Sequence, residues 1–73
     1  SATVFSTMKV LLNGRRGKVG SVLVPALQEA GHELVEGLGQ AEVMVDFTTP
    51  TAVVANVEAA LAAGLPCVVG TSG

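Results

Sequence analysis

The chain has 73 residues, a formal net charge of −2 and an apolar content of 49%. Its only large aromatic side chains are two phenylalanines. This length supports one small domain, near the lower limit for a self-supporting core. The weak negative charge excludes a basic field that would attract nucleic acid, and no apolar run reaches the ~18 residues of a membrane span. The single cysteine, Cys67, excludes an internal disulfide and fits a reducing cytoplasm.

The two ends of the chain indicate how it is organised. The residues before Met8 include no basic stretch and no long apolar run, so they do not have the features of a signal peptide. Because Met8 directly precedes an apolar run, residues 1–7 are interpreted as a leader or an added extension, and residues 8–73 as the domain. The chain ends in VVGTSG, a strand and a glycine loop, which favours a fragment of a longer protein.

A strand and a helix open the predicted fold. The run Lys9–Asn13 is short and apolar, which is typical of a strand covered on both faces. Apolar residues at helical spacing between Lys18 and Ala30 predict a helix, which Pro25 should bend and Gly31 should end.

Two further strands, a second helix and a last strand follow. His32–Glu36 and Glu42–Phe47 predict strands, the stretch from about Thr51 to Ala63 predicts a helix, and Cys67–Val69 predicts the fourth strand. The order β-α-β-β-α-β predicts an α/β fold: a partial Rossmann-type, doubly wound parallel sheet with local strand order 2-1-3-4 and a helix on each face.

The connection Gly37–Glu42 is unusually short for parallel strands. Its six residues span about 20 Å when fully extended. A five-residue strand is itself about 16 Å long, and passing over one strand adds about 10 Å. The crossover is barely feasible on these numbers, so we expect either a shortened crossover or a local rearrangement.

Three glycines at a spacing of three follow the first strand. Gly14 suits a tight turn, Gly17 allows the backbone to approach a ligand closely, and Gly20 allows the helix to lie against the strand. The free N–H groups and the dipole of the following helix favour an anion there, and a pyrophosphate suits this geometry.

Charged residues strengthen this prediction. Arg15, Arg16 and Lys18 add positive charge around the glycines. Glu36 ends the second predicted strand, where a carboxylate can accept hydrogen bonds from both ribose hydroxyls of an adenosine. The order of strand, loop, helix, strand and acid therefore predicts dinucleotide binding, so residues 8–73 are interpreted as a truncated dinucleotide-binding domain. The alternatives are glycines that serve only packing and turns, and a Glu36 that is simply solvated.

Three segments together resemble the dihydrodipicolinate reductase family. VLLNGRRGKVG is similar to the family's G-x-x-G-[RK]-M-G loop, VDFTTP at Val45–Pro50 to its D-F-[TS]-x-P segment, and VVGTSG at Val68–Gly73 to its V-[IV]-G-T-[TS]-G segment. The resemblance covers Met8–Gly73. It implies a bacterial enzyme of lysine and diaminopimelate biosynthesis that reduces a cyclic imine dicarboxylate with NADH or NADPH.

The resemblance also implies which residues hold the cofactor. Together with the glycine loop, it gives the cofactor-binding set Gly14, Arg15, Arg16, Gly17, Lys18, Val19, Gly20, Glu36, Phe47, Thr48, Gly70 and Thr71. Phe47, Thr48 and Gly70 would line the nicotinamide end, and Ser72 stands where the family often has a threonine that contacts substrate. The family's catalytic segment and its P-S-G-T stretch are absent, so no catalytic residue is expected in this chain, and no cluster has the composition of a metal site.

The chain departs from the family pattern at three places. Val19 replaces the usual Met, and the connection Gly37–Glu42 is shorter than the family's. Gly37 also stands where the family often carries an Arg that favours a 2′-phosphate, which favours NADH over NADPH. Arg15 or Arg16 could receive the phosphate instead.

Three other residues have reactive side chains, and each has a structural interpretation that is preferred. His32 is interpreted as a solvated or capping histidine rather than a catalytic acid. Asp46 is interpreted as a structural carboxylate that accepts hydrogen bonds from loop amides rather than a general base. Cys67 is interpreted as a small buried apolar residue.

The combined prediction is the cofactor-binding portion of a dihydrodipicolinate reductase-like enzyme, which binds a dinucleotide but turns nothing over alone. One alternative is another nucleotide-binding Rossmann module, such as a CoA-binding domain or a different dehydrogenase. The other is a non-catalytic fragment that self-associates. The small size and the valine-rich edges of the sheet lead us to expect a homo-oligomer. From the charge and the lengths of the apolar runs we expect neither nucleic-acid nor membrane partners.

Overall fold

The computed structural model describes residues 7–70, and this part of the chain forms four strands and two α-helices. In chain order these are β1 (Lys9–Asn13), α1 (Lys18–Glu29), β2 (Glu33–Val35), β3 (Val43–Asp46), α2 (Pro50–Ala62) and β4 (Cys67–Val69), with a short 3₁₀ helix at Leu38–Gln40 between β2 and β3. Each predicted element is confirmed, with ends that agree to within one residue.

All four strands are parallel and lie in the order β2-β1-β3-β4, as predicted. Leu11 in β1 pairs with Val35 on one side and with Met44 on the other, and Met44 pairs in turn with Cys67. Paired residues of a parallel sheet point to the same face, so these four side chains share one face. Val10 belongs to the opposite face.

The core lies on both faces of the sheet. Val10 and Leu12 are buried on one face, and Val35 and Met44 on the other. α1 connects β1 to β2, while α2 connects β3 to β4 in the opposite direction across the sheet. Right-handed crossovers that run in opposite directions place their helices on opposite faces, so each face has one helix.

Both helices have identifiable ends. α1 continues through Pro25 and is followed by Gly31, whose φ of +89° is the left-handed conformation that ends many helices. α2 begins after Thr49, whose hydroxyl oxygen accepts a hydrogen bond from the amide of Ala52 at 3.3 Å, and Pro50 occupies the first helical position. Among residues 7–70, neither helix has the length and hydropathy required to cross a bilayer.

The short crossover is accommodated because β2 has only three residues. Its last residue, Val35, is level with Leu11, whereas the first residue of β3, Val43, is level with Val10. The chain therefore steps back by one residue, about 3 Å, while it crosses about 10 Å to the far side of β1. The expected shortened crossover is confirmed. The estimate that it is barely feasible was wrong because it assumed a five-residue strand.

Candidate dinucleotide-binding site

The turn after β1 requires glycine at its first position. Gly14 has a φ of +86°, and a β-carbon added there would lie 2.6 Å from the carbonyl oxygen of Phe47. Both the backbone conformation and the lack of space exclude a side chain. The first glycine of the predicted loop thus makes a tight turn against the segment that follows β3.

Gly20 allows α1 to approach this turn. A β-carbon at Gly20 would lie 1.8 Å from the carbonyl oxygen of Gly14, which is far too short for two atoms that are not bonded to each other. Gly20 is also buried, although its neighbours on α1 are largely exposed. Gly20 was predicted to let the helix lie against β1, and the close approach that the structure shows is to the loop directly after β1.

Gly17 caps the N-terminus of α1. Its backbone is extended, with φ −78° and ψ 177°, and it provides no side-chain acceptor for the first turn. The first N–H groups of a helix have no intrahelical acceptor, and the helix dipole adds partial positive charge at this end. Helix N-termini of this kind attract anions, so this end of α1 is compatible with the predicted pyrophosphate site.

The basic residues of the loop are exposed, and one of them contacts Glu36, the residue predicted to bind the ribose. Nη1 of Arg15 lies 3.5 Å from Oε1 of Glu36, which directly follows β2. The parallel pairing of β1 and β2 brings these residues together, because both follow the carboxyl end of a strand. An open cleft of about 550 Å³ adjoins this pair and is lined by Arg15, Arg16, Ser21, Val24 and Glu36.

Glu36 also borders a second cavity, of about 320 Å³, on the face of the sheet that α2 covers. Its walls combine apolar side chains with the polar groups of two side-chain amides and of Glu36. The lining residues are Leu11, Asn13, Glu36, Leu38, Met44, Asn56 and Ala59. Glu36 therefore borders both the basic cleft and this second cavity of mixed polar and apolar lining.

Asp46, the last residue of β3, is completely buried and has hydrogen bonds on both carboxylate oxygens. Oδ1 accepts from the amide of Thr48 at 2.9 Å and from its hydroxyl at 2.5 Å. Oδ2 accepts from the side-chain amides of Asn56 at 2.9 Å and Asn13 at 3.2 Å. The prediction that Asp46 bonds a loop amide is confirmed.

Two opposing effects act on the pKa of Asp46. Burial raises the pKa, but the hydrogen bonds from Thr48, Asn56 and Asn13 favour the ionised form and together outweigh it. The pKa therefore lies below its ordinary value of 3.8. At neutral pH the carboxylate is charged.

Phe47 lies between the glycine loop and the end of β4. Its amide donates to the carbonyl of Asn13 at 3.0 Å, and its ring lies so close to Gly70 that an added β-carbon there would be 2.2 Å from Cε1. The amide of Gly70 donates to the carbonyl of Asp46 at 2.8 Å. The structure thus brings Gly14, Phe47 and Gly70 together at the carboxyl ends of the strands.

The other predicted residues are placed as follows. Thr48 lies beside Asp46, and Arg16, Lys18 and Val19 are exposed around the N-terminus of α1. Thr71 and Ser72 lie outside the described residues.

His32 and Cys67 lie away from the carboxyl ends of the strands. His32 precedes β2 at the opposite end of the sheet, and its Nδ1 accepts from the amide of Met8 at 3.1 Å, in agreement with a capping role. The prediction that Cys67 is buried was wrong: it is half-buried, because β4 is the edge strand. Its Sγ lies 3.6 Å from the carbonyl oxygen of Leu65.

Sequence reasoning missed the two asparagines that bond Asp46. A signal was available for Asn56, which is a lone amide in the otherwise apolar middle of α2. Asn13 ends an apolar strand directly before the glycine loop. Among residues 7–70, no three histidine, cysteine or acidic side chains are grouped so that they could hold a metal ion.

Comparison with known proteins identifies the family. The family model described as dihydrodipicolinate reductase, N-terminus, matches residues 36–73, which is just over half of the chain. The chain belongs to this family. The matched segment begins at Glu36 and includes the Phe47–Thr48 turn and Gly70.

Several curated relatives in this family share substantial identity with the chain. The 4-hydroxy-tetrahydrodipicolinate reductase of Beutenbergia cavernae is 41% identical over 92% of the chain and 32% of its own length. Those of Natronomonas pharaonis and Coxiella burnetii are each 34% identical over 90% of the chain, and over 35% and 33% of their own lengths. The chain thus spans about a third of the length of these dihydrodipicolinate reductase relatives.

The alignments are longer than the chain. They extend over 78 residues for B. cavernae and 87 for N. pharaonis, against 73 in this chain, so these relatives have additional residues in the matched region. Membership in the dihydrodipicolinate reductase family supports a nicotinamide dinucleotide as the cofactor. It does not favour a CoA-binding module, a different dehydrogenase or a fragment without a binding role.

Proposed function

We propose that this chain binds the NADH or NADPH used by a 4-hydroxy-tetrahydrodipicolinate reductase. The observation that carries the proposal is the ion pair between Nη1 of Arg15 and Oε1 of Glu36, which are 3.5 Å apart. This contact supports a site in which the pyrophosphate lies against the glycine loop and the ribose lies at the neighbouring carboxylate of Glu36. Ligands of open α/β sheets bind at this edge, beyond the carboxyl ends of the strands.

The pyrophosphate would lie against Gly17 and the first turn of α1. The N–H groups there have no side-chain cap, and Arg16 and Lys18 are exposed beside them. A cap without a side chain leaves space for phosphate oxygens, while the two cations and the helix dipole favour their charge.

The adenosine ribose would be held by Glu36, and we propose a preference for NADH over NADPH. A free 2′-hydroxyl can donate to the carboxylate, whereas a 2′-phosphate would be repelled by it. Gly37 provides no compensating cation, but Arg15 already lies against Glu36 and could move toward a phosphate. Arg15 therefore allows NADPH to bind, although less tightly.

The nicotinamide end would be lined by Phe47, Thr48, Gly70 and Thr71, with Ser72 directed to the substrate. Support for the first three comes from their common position at the carboxyl ends of β3 and β4. When bound, the nicotinamide supplies the hydride, and the protein supplies binding and orientation.

The reaction proposed for a protein of the relatives' length is reduction of the cyclic imine dicarboxylate in lysine and diaminopimelate biosynthesis. The relatives, which are 4-hydroxy-tetrahydrodipicolinate reductases, support it. We also propose a cytoplasmic homo-oligomer that binds neither nucleic acid nor membranes. The net charge of −2 and the exposed Val68 and Val69 on the edge strand support this part of the proposal.

Calorimetric titration of the chain with NADH, NADPH and CoA tests the proposed function. The decisive variant is Gly17→Asp, because aspartate is favoured at a helix N-cap and φ at this position is negative. The added β-carbon would be 3.2 Å from the carbonyl oxygen of Gly14, which a small local shift relieves, so the fold should be retained. The negative charge of the aspartate would occupy the pyrophosphate position. We expect saturable binding of both dinucleotides by the wild type and no measurable binding by Gly17→Asp.

The matched control is Gly39→Ala. A β-carbon added at Gly39 has no atom within 4 Å, so this glycine substitution should leave dinucleotide binding unchanged. A folded wild type that binds no dinucleotide, or that prefers CoA, would contradict the proposal.

A further inference from the structure

The proposed cofactor site leaves one buried charge without a function. Asp46 has no exposed surface, so its carboxylate cannot reach a ligand in either open cavity. Burying a carboxylate is unfavourable unless hydrogen bonds replace its water, and here four donors do so. Apolar side chains of similar volume often stabilise a core equally well. The position of this carboxylate therefore calls for an explanation other than stability.

The two oxygens of Asp46 bond different parts of the fold. Oδ1 accepts both the amide and the hydroxyl of Thr48, in the turn after β3. Oδ2 accepts the side-chain amides of Asn13, at the end of β1, and Asn56, on α2. One oxygen thus fixes a turn of the proposed cofactor site, and the other anchors the carboxylate to the body of the domain.

The turn that Oδ1 fixes includes Phe47, which has close neighbours on both sides. Its carbonyl oxygen is the atom that a β-carbon at Gly14 would meet at 2.6 Å, and its ring fills the space beside Gly70. Thr48 also approaches Gly14, because its amide nitrogen would be 3.1 Å from the same added β-carbon. A shift of Thr48 would therefore move Phe47 relative to both glycines.

We propose that Asp46 is a positioning residue for the nicotinamide end of the cofactor, which acts by holding Thr48 and, through it, Phe47. The inference rests on the proposed dinucleotide function and deepens it. The glycine loop has its own internal bond, from the amide of Gly17 to the carbonyl of Gly14 at 2.9 Å, so the pyrophosphate position has a support besides Asp46. Oδ1 bonds the Thr48 turn directly, whereas Oδ2 bonds the side chain of Asn13, before the loop. We therefore expect the larger effect of Asp46 on the part of the cofactor beyond the pyrophosphate.

The test compares NADH with ADP-ribose, which lacks the nicotinamide. Asp46→Asn is close in shape but has one fewer acceptor oxygen and no charge. We expect its NADH affinity to fall about tenfold and its ADP-ribose affinity less than twofold, since weakened bonds to a charged acceptor correspond to about 1.4 kcal/mol. Equal losses for both ligands would overturn the inference.

Asn56→Ala is the matched control. It removes a donor to the same carboxylate, but from Oδ2, and it leaves both Thr48 bonds to Oδ1 intact. It should destabilise the fold, yet the ratio of NADH to ADP-ribose affinity should remain that of the wild type. A ratio that changes as much as in Asp46→Asn would mean that only general stability is involved, and the inference would be wrong.

A ligand-free measurement completes the test. Amide hydrogen exchange at Thr48 should be faster in Asp46→Asn than in Asn56→Ala, whereas exchange at Met44 in β3 should be alike. If Asp46→Asn does not fold, Thr48→Val is measured instead, because it removes one of the two bonds to Oδ1. Unchanged protection of the amide at position 48 in the variant measured, corrected for the intrinsic exchange rate of the residue there, would overturn the inference.

The proposed function and this inference fail in different ways. A wild type that binds neither NADH nor ADP-ribose overturns both. A wild type that binds both ligands, with equal losses in Asp46→Asn, overturns only the positioning role.

Discussion

The side-chain amide of Asn56 donates to Oδ2 of Asp46 at 2.9 Å, and this bond joins α2 to the carboxyl end of β3. A helix that packs on a sheet through apolar contacts alone can shift along its axis. A directional bond to a buried carboxylate fixes the helix in one position. Asn56 therefore ties the middle of α2 to the end of β3.

Removing this bond should lower stability by a moderate amount. Asn56→Ala removes one donor to Oδ2 and leaves the bond from Asn13, so we expect the free energy of unfolding to fall by about 1–3 kcal/mol. Urea denaturation measures the change. Glu58→Ala, at an exposed position on the same helix, is the control and should be within about 0.5 kcal/mol of wild type. Equal stabilities for the two variants would contradict this role for Asn56.

Gly20→Ala should be severely destabilising. Its β-carbon would overlap the carbonyl oxygen of Gly14, so either α1 must move from the loop or the turn must open. We expect a loss of about 3 kcal/mol or more, or a chain that does not fold. Circular dichroism and urea denaturation report both outcomes, and Gly39→Ala serves as the control at an open position. A wild-type denaturation midpoint for Gly20→Ala would show that the loop adapts easily.

Acid should destabilise the chain partly through Asp46. Its pKa in the folded state lies below the ordinary value of 3.8, so the unfolded chain binds a proton more readily. The stability from this group is complete above the unfolded pKa and is lost as the pH falls through the folded one. Urea midpoints at pH 7 and pH 3 should differ more for the wild type than for Asp46→Asn. An identical pH dependence in the two proteins would contradict the lowered pKa.

The pair Arg15–Glu36 should control the choice between the two dinucleotides. Glu36→Ala removes an acceptor for the ribose hydroxyls, so NADH affinity should fall about tenfold while NADPH loses less because a repulsion also disappears. Arg15→Ala should have the opposite effect and weaken NADPH more than NADH. Titrations with both dinucleotides give the ratio, and Glu29→Ala, at the far end of α1, is the control. A ratio that does not move in either variant would exclude the pair from this role.

The order and type of the elements could be predicted because the local pattern determines them. Three consecutive apolar residues in β1, helical spacing in α1 and glycines at the ends of both helices are visible in the sequence. The strand order then followed from the Rossmann-type pattern with right-handed crossovers, although the short connection Gly37–Glu42 argued against it. The glycine turn was also predictable from the sequence, because a turn with positive φ favours glycine, and Gly14 has such a φ.

The bonds of Asp46 could not be predicted in the same way. Asn13 and Asp46 are 33 residues apart, and they meet only because β1 and β3 pair in one particular register. A shift of one residue would turn the two side chains to different faces of the sheet. The length of β2 was also not visible, because the pattern of His32–Glu36 does not show where pairing stops. Burial of Cys67 was overestimated because composition does not reveal which strand lies at an edge.

The short second strand gives this domain a place where the chain length is free to vary. Val35 and Val43 lie almost level on either side of β1, so the residues between them make a lateral step that does not determine the register of either strand. Additional residues inserted between Gly37 and Glu42 would extend into solvent and leave Glu36 and the glycine loop in place. The domain can thus lengthen or shorten at this point over evolution while its binding edge keeps the same geometry.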